Sequence, residues 1–409
     1  MGHTDLMHSY MQRREHRLIG VMSGTSLDGV DAVLVSIKTD AQQRVVKVSL
    51  VDQVSIAYTP QVRDLVNRLC IPGSSDINDL TLAHFGLSHW NAAAVNALLA
   101  KGPYAGSDIE AVCMHGQTVW HAPNPQIFPG PSGDLSVTGT LQIANPSLVA
   151  SLTGLPVISD FRSADMAEGG QGAPLAPYID YLLFGNKGHG VAVQNIGGIG
   201  NVTVLPGGDD ASGVFAFDTG PGNMIMDAVV ALGTNGRKLY DEGGSIGASG
   251  TICQSLLDAL MEDPYFALVP PKSTGREVYG QTFVQELVKK AESLALCFAD
   301  IVATATAFTA YSIAKAYQDF VIPHTALETV IVSGGGARNT YLLSLLRQYL
   351  PEGIVVTTSD AFGVPDQARE AMAFALMGHE SLLGRPSNIP AVTGARKPVV
   401  LGTITMQHI

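Results

Sequence analysis

The run Met22-Ser23-Gly24-Thr25-Ser26-Leu27-Asp28-Gly29-Val30-Asp31 decides how the chain is read. It is polar and glycine-bearing, and it lies between two apolar stretches, Leu18 to Met22 and Val30 to Ile37. In the second stretch Val30, Ala32 and Leu34 alternate with Asp31, Val33 and Val35, the period of a strand. Strand, glycine-rich turn and strand together predict a hairpin, not the strand-to-helix turn of a Walker loop. Glycines let backbone N–H groups approach an anion closely, and Thr25 and Ser26 add hydroxyl donors. Asp28 and Asp31 would repel a phosphate directly, so they suit one only with a divalent cation or water in between. A plain turn with solvated aspartates is the alternative.

A second hairpin of this kind is expected at mid-chain. Val191 to Asn195 and Asn201 to Leu205 flank Ile196-Gly197-Gly198-Ile199-Gly200. Two such turns, about 175 residues apart, suggest two related halves, each offering a loop to one ligand. Clefts between domains are where small-molecule sites prefer to sit.

Around these hairpins the patterns predict helices at 60–70, 81–100, 146–153, 224–232, 251–261, 282–297, 301–320 and 366–379, with short strands at 111–114, 157–159, 214–218, 329–332 and 354–357. Asn339 is placed as the N-cap of a further helix that ends at Pro351. The stretch 122–139, rich in Pro, Gly and Ser, reads as a long loop. The first ~15 residues read as a ragged polar terminus.

Composition narrows the class. The chain has 409 residues, 46% hydrophobic and 15% charged, with a formal net charge of −12. That length fits two domains, and the low charge content excludes a mainly disordered chain. No basic tract stands out, so nucleic acid is not an expected partner. Cys70, Cys113, Cys253 and Cys297 lie far apart with no C-x-x-C pair, which fits a reducing cytoplasm. Neither a signal peptide nor a membrane span is expected.

Three further motifs carry chemistry. Phe217-Asp218-Thr219-Gly220-Pro221-Gly222-Asn223 puts a carboxylate at a strand end before a tight turn. It reads as a general base or as an Asx-turn. Ser333-Gly334-Gly335-Gly336-Ala337-Arg338-Asn339, between a strand and a helix, leaves a flat surface suited to an adenine ring and α-phosphate, or is merely a tight connection. His115-Gly116-Gln117-Thr118 through His121 matches no zinc spacing; substrate-binding or structural histidines are expected, and no metal site. Asp160, Arg162, Asp165 and Glu168 precede Gly169-Gly170-Gln171-Gly172-Ala173-Pro174, a run that favours a shaped, ligand-facing loop over a solvated one. Lys272-Ser273-Thr274-Gly275-Arg276 reads as a phosphate-binding stretch or a surface turn.

In this order, from the opening motif at Met22 through His115-Gly116-Gln117-Thr118, Asp160-Phe161-Arg162, the 169–175 run, Asn195-Ile196-Gly197-Gly198, 217–223, 271–276, 334–336 and Val392-Thr393-Gly394-Ala395, the chain resembles the anhydro-N-acetylmuramic acid kinases. The resemblance runs from about Ile19 to the C-terminus. It implies a two-domain α/β enzyme of the actin/hexokinase/heat-shock-70 (acetate and sugar kinase) fold, with ATP held between the domains. The expected division is 17–150 plus about 378–409 for the N-terminal domain and 151–377 for the second.

The same resemblance implies the site. Gly24, Thr25, Ser26, Leu27, Asp28, Gly29, Val30 and Asp31 form the phosphate-binding hairpin; Gly197, Gly198, Gly334, Gly335, Gly336 and Asn339 support the nucleotide. Asp218 falls on the catalytic base and Glu370 on a second acidic residue facing the sugar or its attacking water. His115, Thr118 and Arg162 fall on the sugar side. ATP, Mg²⁺ and a homodimer are implied as well. The reaction would open 1,6-anhydro-N-acetylmuramic acid at C1 and phosphorylate O6, serving cell-wall sugar recycling. One departure stands out: Ser163 and Ala164 follow Arg162 where bacterial muramate kinases carry further arginines. A levoglucosan-type kinase of an uncharged anhydro sugar is therefore the alternative, and a non-catalytic sugar- or nucleotide-sensing protein on the same fold is the rival of another class.

Overall fold

The computed structural model describes residues 3–24, 26–104, 108–185, 188–208, 211 and 213–406. By contact the chain divides into two units, Met1–Leu183 with Gly363–Ile409, and Phe184–Phe362.

The first unit is built on the expected hairpin. Strands β1 (Glu15–Ser23) and β2 (Gly29–Thr39) pair antiparallel with Leu18 opposite Val35 and Gly20 opposite Val33, and β3 (Val45–Ala57) continues the meander. β4 (Ala111–Gly130) runs parallel to β1; β5 (Gly133–Ile143) folds back on β4, and β6 (Val157–Ser159) adds in parallel on β4. Both faces of the central strands are covered. Ile19, Val21, Val30, Ala32 and Leu34 cluster with Leu87, Val95 and Leu98 of helix Ile77–Lys101. Helix Asp366–Leu382 packs on β1, β2 and β4. Side chains alternate across a strand, and on this second face β1 presents Gly20. A Cβ there would overlap the Ala371 carbonyl oxygen, so only glycine lets the helix backbone come this close.

The second unit repeats the plan. β7 (Gly190–Ile196), β8 (Ile199–Leu205) and β9 (Phe215–Pro221) form an antiparallel meander, and β10 (Leu327–Ser333) and β11 (Val355–Thr358) add in parallel beside β7. Its core is organised on helix Phe298–Phe320, where Val302, Ala305, Phe308, Ile313 and Tyr317 are all buried. A short β12 (Thr403–Thr405) closes the first sheet on β6.

The two strand orders, β6-β4-β1-β2-β3 and β11-β10-β7-β8-β9, are the same. Three antiparallel strands followed by two parallel ones, occurring twice in one chain, make this the actin/hexokinase-type α/β fold. The repeated hairpin was its visible trace in the sequence.

Three expectations are corrected. The stretch 122–139 is not a loop but most of the β4–β5 ribbon, whose outer part is solvent-exposed with Ile127, Phe128 and Leu135 uncovered. The N-terminus holds helix His3–Met11 with Leu6 and Tyr10 buried, and the Tyr10 hydroxyl lies 2.6 Å from His379 Nδ1. The unit boundaries fall at 183/184 and 362/363, not at 150/151 and 377/378. The cause is pairing and packing: Val157–Ser159 belongs to the first sheet, and helix Asp366–Leu382 packs on that sheet along its length.

Candidate active site

In the first unit the phosphate-hairpin candidates sit at the end of β1. Ser23 is buried, and its hydroxyl lies 2.7 Å from the Tyr58 hydroxyl while donating to Gln117 Oε1 at 2.5 Å. Gln117 Nε2 in turn donates to the Gly24 carbonyl at 3.3 Å. Leu27 takes a left-handed conformation (φ 58°), donates its N–H to the Gly24 carbonyl at 3.3 Å, and buries its side chain. The turn is thus pinned from below, with Ser26 and Asp28 outward and exposed. Thr25 lies outside the described residues. Gly29 and Val30 begin β2 and belong to the sheet, Val30 being fully buried. Asp31 follows them and accepts a bond from Ser55 Oγ at 2.5 Å.

The sugar-side candidates gather in the same unit. Arg162 Nε donates to His115 Nε2 at 3.0 Å, and Arg162 Nη1 donates to the Gly172 carbonyl at 2.7 Å. Burial, helped by the neighbouring Arg162 charge, holds the His115 pKa down at about 3. The imidazole is therefore neutral and accepts from the guanidinium. Burial also lowers the Arg162 pKa, opposed by the carboxylate of Glu370. Thr118 Oγ1 accepts from Gln142 Nε2 at 3.2 Å, at the root of the ribbon.

Glu370 keeps an exposed side chain on helix Asp366–Leu382. Even so, loss of solvent to the surrounding protein raises its pKa; Arg369 and Arg162 pull the other way, and Asp31 and Asp366 push it up further. Arg369 itself is paired with buried Asp180.

Asp218 occupies the second unit, in β9, and the strand geometry fixes it closely. Its backbone N–H donates to the Lys272 carbonyl at 3.1 Å, and its carbonyl accepts from the Tyr265 hydroxyl at 2.6 Å. One carboxylate oxygen, Oδ2, accepts the Thr274 backbone N–H at 3.0 Å. Desolvation raises the Asp218 pKa, and the Thr274 bond only partly offsets it. A carboxylate with a raised pKa is a candidate general base. The alternative of an Asx-turn is not what is found, since the partner of the side chain is 56 residues away.

The nucleotide candidates lie in this unit also. The carbonyls of Gly197 and Gly198 accept the N–H groups of Asn223 (2.7 Å) and Gly222 (2.9 Å), tying the β7–β8 turn to the end of β9. Gly334 has φ 81°, Gly335 is exposed and Gly336 is buried. Asn339 caps helix Thr340–Tyr349, its Oδ1 accepting the Leu342 N–H at 2.9 Å, and its Nδ2 points to the Met226 sulfur at 3.7 Å. Both ends of that amide are engaged, and Gly335 is the exposed glycine of the triplet.

Lys272 is turned into the protein. Its ammonium is buried, donates to the Tyr265 and Phe266 carbonyls at 3.2 and 3.4 Å, and lies over the Tyr265 and Phe320 rings. What the sequence missed are the supports: Tyr58 beneath Ser23, and Tyr265 and Thr274 around Asp218. Thr274 sits in a stretch already marked as ligand-like, the one signal available for it.

The family model for anhydro-N-acetylmuramic acid kinase matches residues 16–407. The chain belongs to the anhydro-N-acetylmuramic acid kinase family. The anhydro-N-acetylmuramic acid kinase of Caldanaerobacter subterraneus subsp. tengcongensis is 40% identical over 394 residues, covering 96% of this chain and 98% of that one. That of Salinibacter ruber is 41% identical over 397 residues, covering 97% and 98%. That of Clostridioides difficile is 38% identical over 387 residues, covering 95% and 97%. Family membership therefore spans both units and every candidate residue above. Among the described residues no helix is long and apolar enough to cross a membrane, and no three His, Cys, Asp or Glu side chains gather that could hold a metal ion.

Proposed function

We propose that the chain is the ATP-dependent kinase of 1,6-anhydro-N-acetylmuramic acid, with Asp218 as its base. Water attacks the anomeric carbon C1 and gives its proton to Asp218. The C1–O6 bond breaks, O6 takes the γ-phosphoryl group, and ADP leaves with N-acetylmuramic acid 6-phosphate as the other product. The observation that carries this reading is the Asp218 environment. One oxygen is fixed by the Thr274 N–H, leaving Oδ1 to accept a proton, and desolvation makes the carboxylate a stronger base than a surface aspartate.

Roles for the other residues follow from their surroundings. Glu370 orients the water or a sugar hydroxyl; Arg162, held against neutral His115, supplies positive charge to the sugar side, and Thr118 offers a hydroxyl. The pinned 24–31 turn and the Gly334–Gly335 backbone suit the phosphates and base of ATP through backbone donors and a surface free of side chains. Mg²⁺ would screen phosphate charge; it commonly keeps several waters and takes one or two carboxylates, for which Asp28 and Asp31 are the nearest candidates in the hairpin. By family resemblance the enzyme is a cytoplasmic homodimer, which analytical ultracentrifugation would test.

The purified protein with ATP, Mg²⁺ and either 1,6-anhydro-N-acetylmuramic acid or levoglucosan decides the matter. We expect ADP and a sugar 6-phosphate, seen by ³¹P NMR, with the muramate. Turnover of levoglucosan alone would transfer the reading to an uncharged sugar, as Ser163 and Ala164 allow. ATP binding without turnover of either would leave a sensing protein.

A further inference from the structure

The loop at 168–172 and the segment at 388–396 lie far apart in sequence, and one side chain joins them. Asp165 is fully buried. Its Oδ1 accepts from Asn388 Nδ2 at 2.7 Å and from Thr393 Oγ1 at 2.7 Å; its Oδ2 accepts the Gly172 backbone N–H at 2.8 Å. Gly170 must be glycine at this point, because a Cβ would overlap the Asp165 carboxylate. The backbone bond from Gln171 N–H to the Thr393 carbonyl, at 2.8 Å, runs alongside. No lysine or arginine pairs with the carboxylate in these contacts; neutral donors alone satisfy it.

Burying an unpaired carboxylate is costly, so this one has to be repaid by what it holds. It holds Gly172. The carbonyl of that residue accepts Arg162 Nη1, and Arg162 Nε is anchored on His115. Two of the three guanidinium nitrogens are thereby fixed, one on each side. We infer that Asp165 is a positioning residue for the sugar site: through Gly172 it fixes the plane of the Arg162 guanidinium, so that the remaining nitrogen meets an anionic or hydroxyl group of the sugar in one orientation. This rests on the proposed function for the nature of the ligand and for Arg162 facing it. Ser163 and Ala164 follow Arg162, so no cation adjacent in sequence shares the task.

Asp165→Asn tests this, since it keeps the size but leaves one accepting oxygen where three donors converge. In the full-length enzyme we expect KM for the anhydro sugar to rise about tenfold, the scale of one buried unsatisfied donor, with KM for ATP unchanged. In a double-mutant cycle, adding Asp165→Asn to Arg162→Ala should cost nothing further. Thr393→Val, which removes one bond to Oδ1, is the milder variant should Asp165→Asn fail to fold, with a smaller shift in the same direction. A readout independent of turnover is the Arg162 Nε–H resonance, which the His115 bond protects from exchange; Asp165→Asn should speed that exchange. Unchanged exchange, additive effects in the cycle, or equal loss in sugar and ATP KM would overturn the inference. Failure of the wild type to turn over sugar would instead overturn the proposed function, with the exchange measurement still deciding this one.

Discussion

Asp218 and Glu370 are both carboxylates whose pKa is raised by loss of solvent, yet their surroundings differ in kind. Asp218 stands on a strand with a single strut, the Thr274 N–H, and no cation among the influences on its charge. Glu370 stands on a helix, exposed, among two arginines and two aspartates whose effects oppose each other. Loss of solvent is the largest influence on both, and on Glu370 a set of opposing charges is added to it. A carboxylate tuned by burial alone is independent of charged neighbours; one set among charges is not.

The largest test of that contrast is Asp218→Asn. General-base removal should lower kcat by about 10²–10⁴-fold, with ATP affinity, measured by calorimetry, unchanged. Glu370→Gln should cost less, about 10–10²-fold, because orientation and not proton transfer is lost. Equal losses would erase the distinction between the two carboxylates.

Next in size is Lys272→Met. If the ammonium serves the fold around Asp218, stability should fall by about 2 kcal/mol, since the Phe266 carbonyl loses the Lys272 donor and the Tyr265 carbonyl keeps only the Leu268 N–H. KM for ATP should stay unchanged. A specific rise in that constant, with stability intact, would return Lys272 to the phosphates.

A pH profile sharpens the comparison further. A base works deprotonated, so activity should fall as pH drops through the raised pKa of Asp218, and the acid limb should lie above the ordinary aspartate value. Asp31→Asn removes one of the influences that raise Glu370, so any limb belonging to Glu370 should move to lower pH. The limb of Asp218 has no such dependence and should stay. Movement of both limbs together would mean that one coupled system is titrating.

Much of this was readable from residues alone, for identifiable reasons. Both hairpins were legible because a glycine turn between apolar alternation is a local signal. Helix Pro146–Thr153 was equally plain, with Pro at its start and Gly154 in the left-handed conformation after its end. β3 escaped notice because Lys47, Asp52 and Gln53 interrupt any apolar run, and its residues are at most half-buried. The ribbon hid behind its Pro and Gly content, and helix His3–Met11 is anchored by a contact between Tyr10 and a histidine 369 residues away. In the site, Asp218 announced itself by its place before a turn, but its strut from Thr274 is a long-range contact that no local pattern encodes. Asp165 looked like one charge among several on a loop. Only the fold shows that it is buried.

The smallest expected effect concerns stability, and its sign separates a functional carboxylate from a structural one. The native pKa of Asp218 is raised, so the folded protein binds its proton more tightly than the unfolded chain does. The associated stabilisation is complete below the unfolded value, near 4, and is lost as pH rises through the native one. At neutral pH the charged form is therefore a small burden on the fold. Asp218→Asn removes that charge, and because Asp218 is half-buried and partly screened, Tm at pH 7 should rise by only about 1–3 °C. The gain should vanish below the unfolded value, where the wild-type group is protonated in both the folded and the unfolded state. A carboxylate kept for the fold would behave oppositely: its removal would lower Tm at pH 7, and calorimetric scans at the two pH values distinguish the cases.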